Sequence, residues 1–377
     1  MAVTGSAVAF PAAAARPASV SAPRCGETIT TDLKLRADLI DCPGVGLVIG
    51  ADNITVDLNG HTIDGDNTQA DCPSDSPCDI GVSNLAGHDG VIVRGGVIRQ
   101  FAVAVFADGA GRIRLRQLTV RNNFGVGIVV VDSTDAVIQK NRVTGTDGTA
   151  VVLVGVRGGT VENNTLDHNN HGIAAANGSS RITIVRNVLS QQRGSALDLG
   201  GGATGNRVEG NRLTDNGDGI VLEEAHGNLI SGNQVTGSGT FGFPDTAGFG
   251  IVIDGGDRNK LVRNTVTGGR GPAIFVATLD APTAAEHNIV ARNVASSRQY
   301  DGIFVDGNAT ATVLERNITN HNGGDGIHVY APTTTLTRNT ADYNHDLGIE
   351  AVPGVTDGGG NHAAHNGNHA QCTNVVC

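Results

Sequence analysis

Tryptophan is absent from this 377-residue chain, methionine occurs once, and aromatic residues make up only 3% of it. An ordinary close-packed core relies on large side chains, so this scarcity argues for turns and short strands instead. Cysteine is missing from the whole stretch 79–371; the six present stand at 25, 42, 72, 78, 372 and 377. Basic residues are outnumbered 26 to 37, a net charge of -11. That balance disfavours a sequence-independent nucleic-acid binder, which needs a basic surface. No apolar run is long enough to span a bilayer. Nor does any repeat show a 3.6-residue period with helix caps, which excludes helical solenoids.

Glycine, at 54 residues, is abundant, and it introduces a recurring phrase. Asp301-Gly302-Ile303-Phe304-Val305-Asp306 is one copy; Gly219-Ile220-Val221-Leu222-Glu223, Gly250-Ile251-Val252-Ile253-Asp254, Gly326-Ile327-His328-Val329-Tyr330 and Gly348-Ile349-Glu350-Ala351 are others. Alternate side chains of a strand share a face. One face is therefore uniformly apolar (Ile303/Val305, Ile327/Val329) and reads as core. The other carries Phe304/Asp306, His328/Tyr330 and Val252/Asp254, where chemistry is to be sought. A second column is asparagine: residues 141, 164, 187, 211, 233, 264, 293, 317 and 339, spaced 23, 23, 24, 22, 31, 29, 24 and 22 apart. A period of this length, built from short strands and Asn/Gly turns, indicates a solenoid. Asparagine tolerates left-handed turns, and stacked amides can donate and accept along a column.

These repeats resemble those of right-handed parallel β-helix proteins of the pectate-lyase-like superfamily, over about residues 45–351. That group includes polysaccharide lyases, uronan epimerases, pectin-type hydrolases and NosD-like periplasmic proteins. The resemblance implies an all-β, right-handed parallel β-helix solenoid, for which the repeats give about eleven to twelve coils. On activity it is nearly silent, since one scaffold hosts many functions, and no family active site maps residue by residue. NosD-like proteins are linked to copper-site maturation; one Met and no solenoid Cys leave soft copper ligands missing.

The two long spacings mark insertions, around 236–249 and 278–286, which in a solenoid become loops at one flank. Eight of the twelve aromatics lie between 241 and 343. Phe275 and Phe304 face outward on consecutive coils, and Phe241 and Phe243 lie in the first insertion; all four are candidate sugar-binding residues, as is Glu350. The alternative is that the loops cover these rings as satellite core. Glu223, Asp254, Asp306 and Tyr330 share one outward column, with His328 in the adjacent one. At about 4.8 Å per coil, Glu223 and Asp254 stand one coil apart, and Asp254 and Asp306 two. Those gaps lie near the carboxyl separations of retaining and inverting glycosidases, about 5–5.5 and 6.5–9.5 Å. His328 and Tyr330 are the alternative acid/base pair for elimination beside a uronate. A merely solvated acidic face is the competing reading. The turns before the glycines hold His168/His171, Asp215/Asp218, His321/Asp325 and His345/Asp346. They show no fixed ligand spacing and read as turn-forming polar residues. No metal ligands are assigned, and calcium stays open as a cofactor.

Two functional classes follow: an enzyme cleaving or epimerising an extracellular polysaccharide, or a non-catalytic surface protein binding through the β-helix face. The chain divides into a signal-like or disordered leader (1–24), an N-terminal cap with the first coils (25–88), the β-helix (89–351) and a C-terminal tail with a disulfide (352–377). The leader and the cysteines point to a secreted protein with no membrane span. End-clustering makes Cys25–Cys42, Cys72–Cys78 and Cys372–Cys377 the economical disulfides, with unpaired thiols as the alternative. Loops this short would contribute about 2–4 kcal/mol each. Peptide mapping without reduction is expected to return those three pairs; free thiols or long-range pairs would overturn them.

Overall fold

The computed structural model describes residues 23–68, 79–241, 247–278 and 283–377. Cys72, Cys78 and Phe243 lie outside the described residues. No helix forms among the described residues. Fourteen strands stack in chain order into one sheet, from Glu27–Ile29 to Ile349–Ala351. The ladders are parallel and in strict register, Ile220 pairing Ile251, Ile251 pairing Ile274, and so on to Ile349. Shorter strands close the other walls, as in Val188–Ser190 against Arg212–Thr214 and Thr183–Val185 against Arg207–Glu209. The interior columns are apolar as the alternation requires: Ile220, Ile251, Ile274, Ile303 and Ile327 are fully buried.

The count of fourteen coils corrects the expected eleven or twelve. The uncounted coils lie towards the start, in and just after the segment 25–88 read as cap and first coils, where Val45–Ile49, Ile80–Asn84 and Val103–Asp108 join the same sheet. These strands lack the Gly-Ile phrase and the asparagine, so counting repeats understates their number. At the other end Thr356–Asp357 pairs with Thr335–Thr337, and isolated bridges join His362 to Thr340 and Cys372 to Ile349. Disulfides Cys25–Cys42 and Cys372–Cys377 close near the two ends, where stacking partners run out.

Asparagine columns hold the corners. Asn164 N–H donates to Asn187 Oδ1 at 2.9 Å, while Asn164 Nδ2 donates to Asn187 Oδ1 and to Ile138 O. The pattern runs from Asn141 to Asn361, so each buried amide meets its partners within the column. A second corner carries Asn206, Asn228, Asn259 and Asn288, and a third carries Asn169, Gln192 and Asn216, then Asn322, Asn344 and Asn366. The backbone reason given for asparagine needs correcting. The left-handed residue is the one before it: Lys140, Asn163, Arg186, Arg263, Arg292, Arg316 and Arg338 all have φ between 53° and 58°. The amide locks a bend that its neighbour makes, at roughly 1–2 kcal/mol of strain per bend.

The glycines of the repeated phrase likewise serve close approach rather than turn conformation. A Cβ on Gly219 would sit 2.1 Å from Gly250 O, and one on Gly250 2.2 Å from Val266 Cγ1. These two positions accept no side chain, although Ala196 and Ala273 occupy the same column on neighbouring coils.

Asn187→Ala strips an acceptor from two donors of Asn164 and leaves buried groups unpaired, at about 1–3 kcal/mol per group. A loss of about 2–4 kcal/mol is expected in denaturant titration, against less than about 0.5 kcal/mol for the exposed Asn308→Ala.

Candidate active-site cleft

The outward face of the fourteen-stranded sheet carries the polar and aromatic groups, and register fixes their order. One row reads Asp198, Val221, Val252, Phe275, Phe304, His328, Glu350, each paired with the next. Beside it Glu223 pairs with Asp254, and Asp254 with Ala277. Asp306 and Tyr330 continue that row just beyond their strands.

Glu223 and Asp254 open onto a cavity of about 250 Å³, with Ser195 and Asp218 on one side and Val221, Val252 and Phe249 as its apolar wall. The first insertion adds Phe249 to that wall, and the strands supply the valines. Asp218 accepts the Phe249 N–H at 2.8 Å, placing the ring 5.0 Å from Phe275 in a stacked arrangement. Arg298, only 3% exposed, braces the loops from behind. Its guanidinium donates to Gly271 O at 2.7 Å and to the carbonyls of Gly268 and Gly248. Burial pushes this arginine down to about 10, against the charge of Asp218. Burial also raises Asp218, despite the N–H groups of Phe249 and Gly248.

Asp198 lies one coil before Val221. Burial pushes its carboxyl up to about 7, opposed by a hydrogen bond with Ser195 and reinforced by the charges of Asp218 and Glu223. His171 Nδ1 stands 3.7 Å from Asp198 Oδ2, but burial lowers this histidine. Each partner is thus driven towards its neutral form, so the two are not a fixed ion pair at neutral pH.

From the cavity an aromatic run follows the helix axis. Phe275 meets Phe304 at 5.2 Å, and Phe304 meets His328 at 5.2 Å and Tyr330 at 5.6 Å. Phe275 is 8% exposed because Phe249, Val252 and Phe304 cover it, while Tyr330 is 47% exposed. The loop therefore does part of what the covering alternative required, and the open rings are Phe304 and Tyr330. Phe241 stands away from the run, edge-on to His168 at 6.3 Å.

The anticipated residues thus separate into two groups. Glu223 and Asp254 share the cavity. His328, Tyr330 and Glu350 gather about three coils further on, roughly 14 Å away at the coil spacing. Asp306 lies between, its Oδ2 accepting the Asn308 N–H at 3.2 Å to close its own turn. Around His328 stand Asp325 (Oδ2 to Nδ1, 3.2 Å), Asp301 (Oδ2 to Nδ1, 3.6 Å) and Glu350 (Oε2 to Nε2, 3.4 Å). Burial disfavours the charged imidazole, yet Asp301, Glu350 and Asp325 outweigh it and raise His328. Burial, with Glu350 and Asp301 adding to it, pushes Asp325 up to about 7.

Four residues of this face, Asp198, Asp301, Asp325 and Arg298, were not singled out as site residues. A signal existed for three: Asp198 falls in the outward column of Phe275 and Phe304, and Asp301 and Asp325 each precede the glycine of the phrase bearing Phe304 and His328. Arg298 had only its place 24 residues before Asn322.

The chain matches the family model described as "Right handed beta helix region" over residues 39–189 and 157–341. Among solved structures it is similar to the A-module of the Azotobacter vinelandii mannuronan C-5 epimerase AlgE4. There the TM-score is 0.58 and the identity 14%, with 83% of this chain and 89% of that one covered. It is also similar to the AlgE6 A-module of the same organism, with TM-score 0.54, 14% identity and coverage of 94% and 90%. A third is the DFA-IIIase of Arthrobacter chlorophenolicus A6 in complex with GF2, with TM-score 0.51, 14% identity and coverage of 75% and 70%. No curated protein matches significantly in sequence. At these identities the likeness is one of fold.

Folding raises Asp198 above its unfolded value of 3.8, so the native state keeps a proton that the unfolded chain loses. That contribution is complete below about pH 4 and is lost as pH rises through about 7. Asp198→Asn cannot ionise. Above pH 8 it is expected to be more stable than the parent by on the order of 1 kcal/mol, with no such gain at pH 4. Thermal melts at the two pH values check this; a difference independent of pH would refute it.

Proposed function

The chain belongs to the right-handed β-helix family, and we propose that it acts on an extracellular polysaccharide, cleaving or epimerising it in the cleft over the fourteen-stranded sheet. The observation that carries the reading is the cavity itself: Glu223 and Asp254 are paired on adjacent coils, with Asp198 close by and an aromatic run leading away. Paired carboxyls at one coil spacing, about 4.8 Å, are near the separation that retaining glycoside chemistry uses, about 5–5.5 Å. Within that pair one carboxyl acts as acid and the other as nucleophile, and Asp198, held protonated to about pH 7, keeps a proton beside them for general-acid work. Phe304 and Tyr330 offer ring faces to successive sugars. Mannuronan C-5 epimerase modules and DFA-IIIase share the fold, which fits a carbohydrate ligand. The disulfides at both ends fit an oxidising, extracellular location. No described helix is long and apolar enough to cross a membrane.

A non-catalytic binding role is the second reading, favoured by the cover over Phe275, which leaves Phe304 and Tyr330 as the open rings along the sheet face.

Incubation with a panel of neutral and uronate glycans, reading reducing ends and unsaturated-uronate absorbance, separates the two. On the true substrate Asp254→Asn and Asp198→Asn are each expected to lower turnover about 10²-fold. Binding without turnover by the parent protein would support the second reading. Turnover within about threefold in both variants would place the chemistry elsewhere.

A further inference from the structure

The carboxylates around His328 have no task in the carbohydrate chemistry assigned to the cavity, and their geometry is that of a ligand set. Asp301 and Asp325 each precede a glycine of the repeated phrase, on consecutive coils, and His328 projects from the strand Ile327–Val329 beside them. One oxygen of each aspartate is already committed: Asp325 Oδ1 accepts the Leu347 N–H at 2.8 Å, and Asp301 Oδ1 accepts the Asp325 N–H at 2.7 Å. Those bonds turn both Oδ2 atoms towards the same ring nitrogen, at 3.2 and 3.6 Å. One ligand atom from each of the three residues lies within 4.8 Å of the others.

The other face of the imidazole supplies an independent observation. His328 Nε2 is buried without a hydrogen-bond partner, although Glu350 Oε2 stands 3.4 Å away. A metal-bound histidine commonly donates its second ring N–H to a carboxylate, which fixes the tautomer; Glu350 stands where that acceptor belongs. The charge balance points the same way. Three carboxylates face one imidazole, and among the described residues no Lys or Arg forms an ion pair with them. Asp325 is only 4% exposed, so water does little to screen it. Phe304 and Tyr330 lie against the imidazole at 5.2 and 4.4 Å and give the cluster an apolar wall.

We propose that Asp301 Oδ2, Asp325 Oδ2 and His328 Nδ1 bind a divalent transition-metal ion of the zinc class, with Glu350 holding the imidazole from behind. Zinc takes carboxylate oxygen at about 2.0–2.2 Å and imidazole nitrogen at about 2.0–2.1 Å in tetrahedral geometry. Neighbouring ligand atoms are then about 3.3–3.5 Å apart, bracketed by the two separations seen here. Three protein ligands leave a fourth position for water or a ligand group from the groove. Calcium fits less well, since it takes 6–8 oxygens and this cluster offers two aspartates and a nitrogen. The competing description is a charged imidazole simply shared among carboxylates.

The test uses the full chain after chelator treatment, titrated by calorimetry with zinc, manganese and calcium salts and followed by thermal melts. About one equivalent of zinc is expected to bind, with a rise in Tm that calcium does not reproduce. Asp325→Asn and His328→Gln are expected to weaken binding of that equivalent by at least tenfold, and Glu350→Gln by about 10–100-fold. Glu350 is the more exposed of the set, so Glu350→Gln keeps the test decisive if the other variants fail to fold. His362→Gln, on an exposed histidine paired with Asp342, should change nothing. The proposal is overturned if no stoichiometric zinc binds, if calcium binds in its place, or if His328→Gln and Glu350→Gln bind zinc as the parent does.

Discussion

Stacking backbone on backbone at a fixed coil spacing is the constraint from which the rest of this molecule follows. Each coil must hydrogen-bond to the coils on either side, and a corner that turns the chain leaves amides that a strand ladder cannot reach. The asparagine columns supply the missing partners. Asn233, for example, receives the Asn211 N–H at 2.9 Å and gives its own Nδ2 to Val208 O at 2.8 Å. Because the amides satisfy one another, the bend just before each can be an arginine or lysine held at positive φ.

The cleft arises where one of those columns is interrupted. Between Asn216 and Asn322 the third corner carries Ser238, Gly269 and Arg298 in place of asparagine. Here the first insertion leaves the coil, and a guanidinium, with more donors and a longer reach than an amide, takes over the carbonyls of the displaced backbone. The insertion brings Phe249 onto Phe275 and adds it to the apolar wall beside Glu223 and Asp254. Structural repair and site construction are one event.

Regular stacking also shapes the electrostatics. Residues equivalent in successive repeats must sit about one coil apart, so carboxylates in successive copies of a phrase are forced together. Asp301 lies below Asp325, and Asp198, paired with Val221, lies diagonally across one coil from Glu223. Water is partly excluded from both places, and in each one carboxyl is held protonated to about pH 7. A globular fold could separate such groups; a solenoid cannot without breaking its register.

The sequence alone determined the solenoid, its parallel ladders, the buried Ile columns and the pairing of Glu223 with Asp254. All of these depend on periodicity, which is written along the chain. It also showed where the extra chain lies. It misplaced the left-handed bend by one residue, because asparagine's amide role and its backbone tolerance predict the same column. It undercounted the coils, since Val45–Ile49 and Ile80–Asn84, in the segment read as cap and first coils, stack by shape without repeating the phrase. Tertiary structure decided that Phe275 is covered, that Phe241 stands against His168, and that His328 lies three coils from Asp254 in a separate nest of carboxylates. Those outcomes depend on how an insertion folds back and on which side-chain oxygens the backbone has already engaged, and neither has a period to be read.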